Sequence, residues 1–214
     1  KIKSYKQRNC FEYAGAAGGY IDKYGFSYCR GRVFDTIEED TGQYEEQTPI
    51  FWASGACFFI RASTFEHLGG FDEDFFAHQE EIDFCWRAQN EGYKVYYTPL
   101  SQIYHLGGAT LEQGSTQKVF LNFRNSLFML LKNLPKEAWF STIFLRMVLD
   151  GIAGIRFFFQ GKLSYTWAIL RAHFAFYKYF FHFYHKRKNP MLKQYYSVKS
   201  IAYSYFIKNK KVGY

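Results

Sequence analysis

Apolar and polar positions follow different rhythms along the chain. Between Ile50 and Arg61, "IFWASGACFFIR" sets aromatics around a run of small residues, and this short apolar block predicts a strand. Gly55 inside it marks a place where a ligand or another backbone comes close. "ASTFEHLGG" predicts a short helix with Ser63 as N-cap and Gly69 as its stop. "EEIDFCWRAQNEGY" predicts a second helix with Ile82, Cys85, Trp86 and Ala88 facing inward and Gly92 ending it. Two short strands follow, "YKVYYTP" halted by Pro99 and "SQIYHLGG" ending at a turn. From Thr116 the spacing becomes helical, with Phe120, Phe123, Leu127, Leu130 and Leu131 on one side, and it stays helical to the end of "KLSYTWAILRAHFAFYKYFFHFYHKRKN". Residues 1–48 are rich in Gly and Tyr and hold no period, which predicts loops with short elements. Strands mixed with helices and then helices alone predict an α/β body over residues 1–115 and a helical region over 116–214.

Charge sharpens this division. Residues 1–150 carry 15 Lys and Arg against 19 acids, whereas residues 151–214 carry 12 Lys and Arg and no acid. With 48% hydrophobic residues and with Phe, Trp and Tyr making up 22% of the chain, the sequence is of the globular and not the disordered class. Cys10, Cys29, Cys57 and Cys85 stand far apart with no C-x-x-C pair, so neither a zinc site nor a disulfide framework is expected; they read as reduced thiols of a cytosolic protein. The chain starts at Lys1 without Met, and a longer protein is expected around it. The string Gly15-Ala16-Ala17-Gly18-Gly19 lacks the Lys-Ser/Thr ending of a phosphate loop and reads as a structural or acceptor-side loop.

Chemistry concentrates in "FFAHQEEIDFCWR", where Glu80, Glu81 and Asp83 stand between aromatics. They are either helix-start acids favoured by the macrodipole, or carboxylates whose crowding raises their proton affinity and suits them to proton abstraction. His78 and His105 are candidate shuttles or metal ligands. Asp72-Glu73-Asp74, directly after Gly69-Gly70, reads as turn chemistry or as a metal-binding triplet.

The stretch from Trp52 to Gly108 resembles the C-terminal half of the catalytic domain of bacterial glycosyltransferase family 2, the rhamnosyltransferase-like enzymes of cell-envelope polysaccharide assembly. The residues that carry the resemblance are the "WASGA" segment, the "RASTFEHLGGFDE" turn, the "EEIDFCWR" helix start, "GYKV", Pro99 and His105. The resemblance covers about residues 50–132 and implies a GT-A fold half followed by an α-helical appendage. It also implies inverting transfer of a sugar from a nucleotide-sugar donor to a saccharide acceptor, with lipid-linked glycans as the expected partners.

By the same resemblance the catalytic base falls on Glu81, where the family usually has Asp, with Glu80 as the first acid of the pair. Asp83 orients neighbouring groups or the acceptor, and Arg87 fixes the helix by pairing with an acid. Trp52, Gly55 and Ala56 line the sugar pocket, while Gly70 and Asp72 form the acceptor-side turn. His105 matches a histidine that completes the shell of a divalent cation, Mn²⁺ or Mg²⁺, and a His ligand favours Mn²⁺. Arg124 either reaches a diphosphate or holds its helix to the body. The family's nucleotide-binding half, with its D-x-D, is expected upstream of Lys1, and the chain alone is expected to be inactive. The rival expectation is a non-catalytic, transferase-like module that binds a glycan or partner.

In the tail, Ser164, Arg171, Lys178, His182 and His185 recur at spacings of seven, seven, four and three, which places them on one helical stripe among aromatics. Such a helix either lies on an anionic membrane surface, at the inner face of the cytoplasmic membrane, or packs as an aromatic hairpin on the body. No nucleic-acid module accompanies the basic residues, and no nucleic acid is expected as partner.

Overall fold

The computed structural model describes residues 1–106, 114–188 and 192–214. Eight short strands come before the long helices: β1 (Ile2–Ser4), β2 (Gly19–Ile21), β3 (Ser27–Cys29), β4 (Arg32–Val33), β5 (Thr36–Ile37), β6 (Thr48–Ile50), β7 (Val95–Tyr97) and β8 (Ile103–His105). They form three sheets. β1 pairs parallel with β8, β2-β3-β4-β5 is an antiparallel meander, and β6 pairs antiparallel with β7. Between β6 and β7 lie α1 (Ala62–His67) and α2 (Glu80–Asn90). After β8 the elements are α3 (Thr116–Asn133), α4 (Trp139–Phe159), α5 (Leu163–Lys178), α6 (Phe180–His185) and α7 (Ile201–Phe206). Mixed strands and helices thus precede a helical stretch, and the expected turn at 107–108 lies outside the described residues.

Two local expectations are corrected. The strand expected over 50–61 ends at Ile50, and Gly55–Cys57 forms a 3-10 turn instead. Ser54 starts that turn by accepting a hydrogen bond from the Ala56 amide at 3.2 Å, and the small residues beside it permit the tight bend. Ser63 lies inside α1, not at its cap. Arg61 is the extended residue whose carbonyl accepts the first helical bonds, from Thr64 and Phe65.

The glycine-rich string is a packing device. A Cβ on Gly19 would fall 2.1 Å from the Trp52 ring, and one on Gly15 would fall 2.4 Å from Ser54. The loop therefore lies flush against the 50–54 segment, and Trp52 closes the contact by donating Nε1–H to the Tyr20 carbonyl at 3.0 Å.

The main core joins Phe11, Ile21 and Trp52 to Phe75, Ile82 and Trp86, and then to Leu127–Leu131, Phe176 and Phe183. α3 is its axle. Every residue from Asn125 to Asn133 is buried, because α2, α4, α5 and α6 all pack around this half of the helix. At 25 cal/mol per Å² of apolar area, each such leucine contributes about 2 kcal/mol. The C-terminal segment returns to the meander, where Ile201 packs with Tyr28 and Val33, and Asp22 accepts the Ile201 amide at 2.9 Å.

Candidate active site

The residues leading into α2 are held in a conformation that side chains avoid. Phe76, His78 and Gln79 have φ of 63°, 69° and 75°, and such non-glycine positions cost about 1–3 kcal/mol each unless the surroundings impose them. Asn125 of α3 supplies that constraint. Its Nδ2 donates to the carbonyls of Phe75, Ala77 and His78 at 2.9, 2.8 and 2.8 Å, so two hydrogens serve three acceptors. Arg124 adds bonds from Nη2 to the Asp74 and Phe75 carbonyls at 3.3 and 3.2 Å, with its guanidinium over the Phe120 and Phe128 rings. Sequence reasoning singled out Arg124 for a diphosphate or for an ion pair; here it bonds backbone carbonyls of the loop.

This loop delivers Glu80 and Glu81 to the first turn of α2. One carboxylate oxygen of each, Oε2, is shut off from solvent and has no hydrogen-bond partner among the described residues. Burial, and then the Glu80 charge, push Glu81 up to about 7; burial pushes Glu80 up as well. The acids are therefore more than solvated helix-start residues. A carboxylate poised near neutral pH suits general-base work. His78, just upstream, is held towards its neutral form by burial and by the Lys118 charge.

Asp83 has a different office. It is fully buried, with Oδ2 2.9 Å from Arg87 Nε and 2.8 Å from Lys132 Nζ, and Oδ1 accepting from Asn133 Nδ2 at 2.8 Å. Arg87 pairs with an acid as its spacing suggests, and also donates to the carbonyls of Leu68 and Gly70. Lys132 reaches on to Asp72 Oδ2 at 2.7 Å, and Lys186 meets Asp72 Oδ1 at 2.7 Å. The two lysines outweigh the burial of Asp72 and draw its carboxyl down to about 2. Asp83 and Asp72 thus lock α2, the 70–75 turn, α3 and the 186 region together. Lys132, Asn133 and Asn125 were missed as candidates, because polar residues inside an apolar helical run declare their purpose only once their partners are in place.

The remaining candidates are spread out. Trp52 is in the core against Gly19, and Gly55 and Ala56 sit on the 3-10 turn. A cavity of about 440 Å³ opens nearby, lined among others by Ser54, Cys57, Phe58, Arg61, Phe84 and Cys85; none of Trp52, Gly55, Ala56, Glu80 and Glu81 lines it. His105, at the end of β8, has Nδ1 3.5 Å from Glu12 Oε2. Among the described residues no three His, Cys, Asp or Glu side chains converge as a metal cluster, so His105 and Glu12 offer at most two ligands.

The family model described as glycosyl transferase family group 2 matches residues 33–184. The low-salt glycan biosynthesis hexosyltransferase Agl10 of Haloferax volcanii is 28% identical over 131 residues, which are 58% of this chain and 41% of that protein. The N-acetylglucosaminyl-diphospho-decaprenol L-rhamnosyltransferase of Mycobacterium tuberculosis is 36% identical over 59 residues, 28% of this chain and 19% of that protein. The rhamnosyltransferase WbbL of Escherichia coli is 33% identical over 58 residues, 27% of this chain and 22% of that protein. No solved structure matches. The chain spans less than half the length of the curated relatives it matches. The family match takes in the loop, the acid pair and the helices that hold them, and this chain belongs to glycosyl transferase family group 2.

Proposed function

We propose that this chain carries the catalytic base of an enzyme that moves a sugar from a nucleotide-sugar donor to a saccharide acceptor with inversion. The observation that carries the reading is the Glu80–Glu81 pair, with carboxylate oxygens unpartnered among the described residues and Glu81 at about 7. Glu81 takes the proton of the acceptor hydroxyl while that oxygen forms its bond to the anomeric carbon. The bond from the anomeric carbon to the diphosphate breaks on the opposite face, and its electron pair leaves with the nucleoside diphosphate. A divalent cation, when bound, stabilises charge on that leaving group. His105 and Glu12 would supply two of its ligands. The acceptor we infer is lipid-linked, in line with the diphospho-decaprenol in the printed name of one relative.

A second reading concerns placement. Phe140, Phe144 and Phe159 of α4, with Trp167 and Phe174 of α5 and Phe181 of α6, are exposed, and residues 151–214 are purely basic. No described helix is long and apolar enough to cross a membrane. The single stripe expected from Ser164 to His185 is interrupted at Tyr179, and His182 bonds Asp74 of the body. The inner face of α5 packs on α3 and α4, and the exposed aromatics with Arg171 and Lys178 form the face we assign to an anionic membrane surface at the inner side of the cytoplasmic membrane.

The test is sugar transfer by the product of the complete reading frame, with Glu81→Gln beside the unaltered protein. Loss of transfer with an unchanged fold is expected. Unchanged transfer would remove Glu81 as base, and absence of transfer by the unaltered protein would favour a non-catalytic glycan- or partner-binding module.

A further inference from the structure

Arg32 is a buried cation that forms no salt bridge among the described residues. Its side chain comes from β4 and is only 8% exposed, its guanidinium lies 4.1 Å from the centre of the Tyr13 ring, and its Nε has no partner among the described residues. Among the described residues the one side-chain hydrogen-bond partner of its donors is weak, Cys29 Sγ at 3.9 Å from Nη2. That sulfur is a protonated thiol, since burial pushes Cys29 up, and it supplies no negative charge. A second cation, Lys118, stands on the first turn of α3, half-buried, with Nζ 5.9 Å from the same Tyr13 ring. Lys118 and Arg32 repel one another, and neither forms a salt bridge among the described residues. The charge of Glu12 acts on both cations, but its Oε2 already accepts the Ala14 amide and faces His105 Nδ1.

Two neighbouring cations, one of them buried, stand without a salt-bridge partner among the described residues, and a buried charge gives up hydration that a bound anion would replace. The group adjoins the acid pair. Glu81 acts on the Cys29 thiol that touches Arg32, and Lys118 acts on His78, two residues before Glu80. A guanidinium fork and an ammonium beside one aromatic wall match the oxygens of a phosphate or diphosphate.

We propose that Arg32 and Lys118, walled by Tyr13, bind a phosphate or diphosphate group next to the carboxylate pair. This rests on the transfer reading above and deepens it. Two sources share the chemistry, the diphosphate of a nucleotide donor and that of a lipid-linked acceptor.

The test is calorimetric titration of this chain with inorganic pyrophosphate, uridine diphosphate and farnesyl diphosphate, in parallel for Lys118→Gln and Arg32→Lys. Pyrophosphate is expected to bind, and each variant to weaken it about tenfold or more; Arg32→Lys keeps the charge but loses the planar fork. Tighter binding of farnesyl diphosphate assigns the site to the acceptor, and tighter binding of the nucleotide assigns it to the donor. Absence of binding by all three ligands, or unchanged affinity in Lys118→Gln, overturns the proposal. Lys118 is partly exposed on a helix, so this variant decides even if Arg32→Lys does not fold. Transfer by the unaltered protein and by Glu81→Gln is scored separately from anion binding. Lost anion binding with intact Glu81-dependent transfer therefore defeats the anion site alone, and the reverse result defeats the base alone.

Discussion

Replacing Glu81 with Gln should make the protein more stable as it disables it, and the gain should depend on pH. Burial and the Glu80 charge raise Glu81 from 4.5 to about 7. The folded state therefore holds a proton that the unfolded chain would release between those values. The sign follows from linkage: the contribution of protonated Glu81 to stability is fully present below pH 4.5 and is lost as pH rises through 7. At about 1.4 kcal/mol per tenfold change in proton affinity, the span corresponds to a ceiling of about 3 kcal/mol by pH 8, shared with Glu80 because the two titrate together. Gln carries no charge to bury at any pH. Glu81→Gln should match the parent near pH 4.5 and exceed it by up to about 3 kcal/mol at pH 8, which is about 2–4 °C in Tm per kcal/mol for a chain of this size. Thermal melts of both proteins from pH 4.5 to 8 read this directly. A difference in Tm that is flat with pH would show that Glu81 ionises as an ordinary surface acid, and the base assignment would lose its physical ground.

Asn125→Ala should cost about 2–4 kcal/mol in urea unfolding, since two donors vanish and three carbonyls of the strained loop lose their partner. The same variant should lower kcat for transfer more than it raises KM, because the loop positions the carboxylates. Asp83→Asn should cost about 3 kcal/mol or more in the same unfolding assay, with Lys132 left buried beside one acid in place of two. The double variant Trp167→Glu with Phe174→Glu should leave the melting temperature unchanged, as both side chains are exposed, and should abolish flotation with anionic vesicles; flotation equal to the parent's would sink the membrane reading.

The helices of the acidic segment and of residues 116–185 could be read from spacing, since apolar period and stop residues are local properties: Gly92 does follow the end of α2. Glu80 and Glu81 could be singled out as candidates from the motif, and the pairing of Arg87 with Asp83 from their spacing. The interruption at Tyr179 and the turn at 55–57 could not, because competing local preferences there are settled by what packs against them.

Burial, in contrast, is a tertiary property. By sequence alone, Glu80, Glu81 and Asp83 are three acids at one helix start, favoured alike by the macrodipole. Only the fold separates them, by bringing Lys132 and Asn133 of α3 to Asp83 and leaving the Oε2 atoms of the two glutamates without partners among the described residues. Asn125, 44 positions after Glu81 in the chain, sets the loop that aims that pair. The residue types determined which chemistry was available, and long-range contacts decided which carboxylate is tied into the structure and which two keep a buried oxygen without a partner among the described residues.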